Sequence, residues 1–505
     1  MSRIRTSVLL VVTTAVAPAV TVFAQSGPTH QPSPSAGRPA AVTADEFYFE
    51  PEAEATPAPA PLPAFMPAAA PGQSAAPRPT TAVAPAPPPA VEATPPAPKD
   101  APGEAGATAA DAPPIPVEDA TAIAEPKPEP KPKPEPKPEP EPPPAPRLQF
   151  GGAVTINALY RTWESADDGL NLALATLILG MDASYMQLSA SAQYRFFNGS
   201  NMLHHGYLGY DIGDLAELQL GVNQVPFGLL PYASHSWFFN LSYYVGLEDD
   251  YDTGIKLRLP LGPLDIRLAY YRADEGSFMG SSVNSARYSY DVVSSTAAEL
   301  GDSGTDVHTN RERNQLNGRV AYTFTHGKRS GTEFGFSGQY GELLNAETGR
   351  KGDHYAAAAH VNGIYGGLNI QLEGLRYGYR PENPDGLNSK TVVMGAYDAP
   401  QRVASNGWLF IGNIAYTFNI AAPPLDSVTV YNNYSHLMKP ERDFVDSQEN
   451  VLGALVAAGP VFVYVDLAAG RNHPWLGGHP IDALGAGDGS ADWRMRANIN
   501  AGYYF

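Results

Sequence analysis

The sequence predicts an all-β fold: a transmembrane antiparallel β-barrel of about sixteen strands, with one loop folded inward and a disordered Pro-rich N-terminal arm. Three observations predict it. The stretch 492–505, DWRMRANINAGYYF, alternates strictly. Trp493, Met495, Ala497, Ile499, Ala501, Tyr503 and Phe505 share one face, and Arg494, Arg496, Asn498, Asn500, Gly502 and Tyr504 share the other. A period of two is a strand, and an apolar face with aromatics near both ends, opposite a polar one, suits lipid on one side and water on the other. Second, amphipathic runs of about ten residues recur from residue 148 onward. Third, the connections between runs are alternately short and long, as they are when one barrel end carries turns and the other carries loops.

Taken in order, the chain divides at residues 24 and 147. Residues 1–24 read as a secretory signal peptide: Arg3 and Arg5, then an apolar core, then Val22-Phe23-Ala24 as a cleavage point. Residues 25–147 are dense in Pro and Ala and lack an apolar pattern, so they cannot offset the entropy of ordering. Within this arm every second residue of 125–144 is Pro until the closing Pro run, which imposes an extended polyproline helix reaching about 60 Å. The expected role is a spacer toward peptidoglycan or a periplasmic protein. The aromatic run 47–49, between acids, is the one patch in the arm that could dock.

The barrel covers 148–505. Its expected strands are 148–161, 170–182, 185–197, 203–211, 215–224, 251–259, 264–272, 314–325, 332–341, 354–364, 368–380, 407–418, 427–436, 450–458, 461–469 and 492–505. Splitting 273–313 would give about seventeen or eighteen, and merging weak runs such as 203–211 about fourteen. Tight turns fall at Gly213, Gly262, Gly366 and Gly459, and they alternate with long connections such as 273–313, 381–406 and 471–491. Sixteen strands leave room for an aqueous channel.

Residues 224–253 are too aromatic for a solvated loop and too irregular for a strand. Phe227, Tyr232, Trp237, Phe238, Phe239, Tyr243 and Tyr244 need a surface to pack on, and the barrel interior is the nearest. The only charges there are Glu248, Asp249, Asp250 and Asp252, which the inward fold would bring to the pore constriction. Arg195, Lys256, Arg258, Arg267, Arg319, Arg494 and Arg496 alternate with apolar neighbours and are assigned to the pore wall, because a lipid-facing Arg costs about 2–4 kcal/mol at mid-membrane. An acidic loop opposite a basic wall would set a field across the pore, with the acids tilting it toward cations or near neutrality. In the alternative, the arginines pair with Asp265 or Glu217 and stiffen the wall.

Several chemistries are excluded. The chain of 505 residues has no cysteine, so it has no disulfide or zinc-thiolate site. No apolar run of about 18 residues follows the N-terminal segment, so no membrane helix is available. The formal charge of −19 argues against nucleic acid. Ser234-His235-Ser236 and His204-His205 read as adjacent strand residues pointing to opposite faces, which rules out a nucleophile–base pair or a metal site. No cofactor, metal or enzymatic activity is expected.

Two resemblances add to this reading. The aromatic end at Phe505 resembles the C-terminal signature of Gram-negative outer-membrane barrels, which implies recognition by the barrel assembly machinery. VPFGL from Val225, SHSW from Ser234 and GLEDDYDTGIK from Gly246 resemble the porin O/P, or phosphate-selective porin, family. That resemblance implies an outer-membrane porin, in lipid and as a homotrimer, passing small hydrophilic solutes or ions by passive diffusion. Phosphate-selective members carry Arg and Lys on inward loops; this loop carries none, which sets phosphate selectivity aside. A structural anchor for the Pro-rich arm is the rival expectation.

Overall fold

The computed structural model describes residues 145–164, 170–197, 199–276, 284–302, 307–477 and 481–505. The expected signal peptide and nearly all of the expected arm, with its aromatic run, lie outside the described residues. Sixteen strands form one closed barrel. They are β1 (Arg147–Arg161), β2 (Leu170–Tyr185), β3 (Leu188–Phe197), β4 (Asn201–Ile212), β5 (Ala216–Gln224), β6 (Tyr251–Leu261), β7 (Leu264–Asp274) and β8 (Asn310–Gly327). The second half is β9 (Ser330–Asn345), β10 (Lys351–Tyr365), β11 (Leu368–Arg380), β12 (Asn406–Ala422), β13 (Leu425–Met438), β14 (Ser447–Ala458), β15 (Val461–Arg471) and β16 (Arg494–Tyr504).

Every expected run falls on one of these strands, and most strands are longer than the run that predicted them. Among its described residues, the stretch 273–313 adds no barrel strand beyond the end of β7 and the start of β8; its short ladders belong to loops. Closure comes from β1 against β16, antiparallel from Ala153 opposite Tyr504 to Arg161 opposite Arg496. Phe505 extends that seam: its N–H donates to the Gly152 carbonyl at 3.0 Å, and its own carbonyl accepts from Gly152 N–H at 2.9 Å. No edge is left, which a barrel in lipid requires.

The alternation read from the sequence is a division between lipid and lumen. Phe150, Leu172, Leu208 and Phe336 stand outward, between 63% and 75% exposed. Trp408, Trp493, Tyr503 and Phe505 lie on the same outer belt. The inward positions beside them hold Thr155, Asn157, Gln339, Asn413, Asn498 and Asn500, all buried. Turns at one end are tight. Gly366 and Gly459 adopt φ of +66° and +55°, a left-handed conformation that glycine reaches without steric cost.

At the other end the long loops fold over and into the mouth. A hairpin of Thr391–Ala396 and Ala399–Ala404 is joined by Asp291–Val292 into a small sheet. The main apolar cluster therefore sits inside the barrel at its loop end. Phe227, Phe239, Tyr243, Tyr290, Val392 and Met394 come from loops, and they pack on inward Leu343, Leu375, Tyr377, Leu409 and Leu437 from the wall. The room that sixteen strands leave for an aqueous channel is filled at this end by packed loop side chains. Near their loop ends β9 and β11–β13 are apolar inside as well as outside, because loop side chains, not water, meet them there.

Candidate functional site: the inward loop and its wall

The segment 225–250 joins β5 to β6 and lies inside the barrel, with a single helical turn, α1 (Leu241–Tyr244). Trp237, Phe238, Phe239, Tyr243 and Tyr244 are at most 2% exposed. An irregular buried segment must find partners for its own backbone, and the wall supplies them. Gly228 N–H donates to Ser337 Oγ at 2.9 Å, Leu229 N–H to Glu373 Oε2 at 2.8 Å, and Leu241 N–H to Ser435 Oγ at 3.1 Å. Trp237 N–H reaches Asp466 at 3.2 Å, while Arg319 Nε and Asn413 Nδ2 each donate at 2.8 Å to the carbonyls of Gly228 and Ala233. The loop thus spans from β8 to β15. Its return needs Gly246, at φ +72°, where a Cβ would stand 2.2 Å from the Tyr290 carbonyl oxygen.

The acids do not stand where the sequence reading put them. Glu248, Asp249, Asp250 and Asp252 are 2–5% exposed, so none presents its charge to open water. This corrects the expected acidic constriction, and the cause is the aromatic packing that closes over them. Asp249 accepts from Tyr288 Oη at 2.5 Å and from Gln224 Nε2 at 3.2 Å. Burial nevertheless pushes its carboxyl up to about 6, against those hydrogen bonds and the nearby Arg195 charge. Glu248 accepts from Ala233 N–H at 3.1 Å and from Ser242 Oγ. Its pKa is raised by burial first and by Glu373 second. Asp250 is raised by burial and then by Asp291 and Glu312.

The basic residues divide into three groups. Arg195 and Arg496 are under the loops: the first guanidinium lies 4.5 Å from the Tyr288 ring, the second 5.4 and 5.2 Å from the rings of Trp237 and Phe238. Lys256 is also buried and donates to the Gln224 carbonyl at 2.8 Å. On the wall, Arg258 and Arg267 grip Asp265 at 2.8 and 2.7 Å, and Arg319 reaches Glu333 at 2.7 Å, which in turn meets His360 at 3.0 Å. Pairing on one wall, the alternative reading, describes Arg258, Arg267 and Arg319; Glu217 instead takes Gln219. Arg494 is exposed at the rim, in a cavity with His473, Asp488 and Asp492. The expected field from an open acidic loop to an open basic wall is therefore replaced by local pairing.

At two places adjacent residues do not alternate between faces as strand neighbours would. His204 and His205 do not point to opposite faces: a bulge in β4 skips His204 in the pairing with β3, and the two Nδ1 atoms are 2.8 Å apart. Residues 234–236 are not on a strand. The His235 ring sits between Asn369 and Asn433, while Ser234 Oγ donates to the Phe238 carbonyl at 2.8 Å. The sequence reading also passed over Tyr288, Glu373 and Asp466, which hold the loop in place. Their signal was weak: Glu373 and Asp466 are single carboxylates on otherwise neutral inward faces, and Tyr288 is one tyrosine in a long connection.

No family model matches the chain, and no curated protein matches it. Among solved structures, the chain is similar to OmpT of Vibrio cholerae, at 14% identity and a TM-score of 0.45, covering 72% of this chain and 98% of that one. It is also similar to the outer membrane channel DcaP of Acinetobacter baumannii, at 12% and 0.46 over 71% and 97% of the two chains. A third is an anion-selective porin from Comamonas acidovorans, at 11% and 0.45 over 72% and 100%. Similarity this low says nothing about what this chain does. The architecture stands on its own geometry: sixteen closed strands, an apolar belt, a polar inner wall and a loop inside.

Proposed function

We propose that this chain is an outer-membrane porin of the broad group that the 225–256 motifs resemble, passing small hydrophilic solutes or ions by passive diffusion. The apolar belt seats it in lipid, and closed barrels of this kind are outer-membrane structures. The observation that carries the reading is the water-facing charge on the lumen wall below the loop. Arg258, Asp265, Arg267 and Glu333 keep side-chain exposures of 20–42% on inward-facing positions of β6–β9. A lumen that carried no water would have no use for them. With these charges paired locally and the loop acids buried, selectivity is weak. Purified barrel in planar bilayers should conduct, with a reversal potential near zero under a salt gradient. A barrel that never conducts sinks the reading; strong anion preference would sink only the charge argument.

Self-association has its own support. The outer face of β13–β14 carries Asn432 and Asn450, each donating its amide to the other at 3.1 and 3.2 Å, beside the outward and 57% exposed Leu452. Polar side chains facing lipid tails are costly, and a second copy would cover them. Asn432→Leu with Asn450→Leu should leave the barrel folded and convert the oligomer to monomer in mild detergent. An unchanged oligomer places the contact elsewhere.

A further inference from the structure

Six carboxylates meet where the inward loop returns to β6 and the following loop leaves β7: Asp250, Asp252, Asp274, Glu275, Asp291 and Glu312. Among the described residues one guanidinium enters the group. Arg287 Nη1 lies 2.8 Å from Asp274, 3.0 Å from Asp291 and 3.7 Å from Glu275. It does not reach Asp250 or Asp252. Carboxylate oxygens of Asp250, Asp252 and Asp291 lie within 4.8 Å of one another, and all three residues are at least nine-tenths buried.

The hydrogen-bond inventory of these oxygens points to a ligand. Asp252 Oδ2 accepts from Gln315 at 3.2 Å, and Asp291 Oδ2 from Arg287. Asp250 Oδ1 and Asp252 Oδ1 are buried and accept nothing from the protein. An acceptor removed from water without a donor is costly, and a carboxylate is more costly still. Two oxygens on opposite sides of one Ca²⁺ stand about 5 Å apart, given metal–oxygen distances of about 2.3–2.6 Å. The spacing here fits one such ion.

We propose that Asp250, Asp252 and Asp291 bind a divalent cation, Ca²⁺ in preference to Mg²⁺. All the donors are oxygens, which suits a hard cation. They come from two loops and a strand end, an irregular set that Ca²⁺ accommodates and that the strict octahedron of Mg²⁺ does not. Asp250 closes the inward loop and Asp291 belongs to the next loop, so the ion ties both loops to the rim of β6.

The test is calorimetric titration of the refolded, chelator-treated full chain with CaCl₂ and with MgCl₂, with thermal unfolding in parallel. One Ca²⁺ should bind per chain, more tightly than Mg²⁺, and raise the unfolding temperature. Asp291→Asn should weaken Ca²⁺ binding by about tenfold or more, since affinity at such sites follows the ligand charge count. Asp443→Asn, at an exposed acid outside the group, should leave it unchanged. If the unmodified chain binds no Ca²⁺, or if Asp291→Asn and Asp250→Asn bind it as well as the parent, the proposal is overturned. The titration of the unmodified chain decides even where a variant fails to fold.

Discussion

Removing residues 229–247 and bridging the gap with a short flexible linker should raise single-channel conductance severalfold. A sixteen-stranded barrel is wide enough for an aqueous channel, and here the loop occupies its bore from β8 to β15. The barrel should survive the deletion, because its strands are held by their own ladder, and closure through β1 and β16 does not involve the loop. The wall groups that lose a partner, Glu373, Asn413, Ser435 and Asp466, would then be hydrated. Trp237→Ala is the milder version. It removes the ring beneath Arg496 and should give a smaller rise with more open-channel noise. Conductance that stays at the parent level in a correctly folded deletion variant would mean that solutes take a path the loop does not obstruct.

Phe336→Arg should destabilise the barrel by about 2–4 kcal/mol, the cost of a lipid-facing arginine near mid-membrane. Phe336 is 64% exposed in the middle of β9, opposite Val320 of β8 and Ala359 of β10, on the belt face. The measurement is the folding midpoint in denaturant with lipid vesicles present. A midpoint that does not move would remove Phe336 from the lipid face and reverse the facing of β9. That in turn would contradict the inward contacts of Ser337 with Gly228 and of Glu333 with Arg319.

The barrel was legible in the sequence because its signal is local. Side chains alternate with a period of two, so each strand declares its lipid face without knowledge of its neighbours. Trp493 to Phe505 showed this most plainly, and 251–259 placed Lys256 and Arg258 inward by the same rule. The inward loop was legible too, because seven aromatics in a charge-poor stretch have nowhere else to go. What residue order could not reveal was which partner each charge would meet. Asp265 takes Arg258 from the neighbouring strand and Arg267 from its own, pairings that its sequence distance from them suggests. The charges that Asp250 meets are instead Asp291, brought in by a loop whose path is set by packing, and Glu312 at the start of β8. Local geometry also misled at His204, where a bulge that periodicity does not announce turned two adjacent rings to one side.

By itself, then, the sequence determined the approximate strand number, the lipid and lumen faces and the segment that enters the bore, since each follows from short-range periodicity or from apolar burial. Tertiary structure alone decided that the loop acids are buried rather than displayed, that the wall arginines are paired, and that carboxylates from two loops and a strand end converge. Burial and charge pairing depend on distances between segments far apart in the chain, and those distances exist only once the barrel has closed and the loops have packed into its mouth.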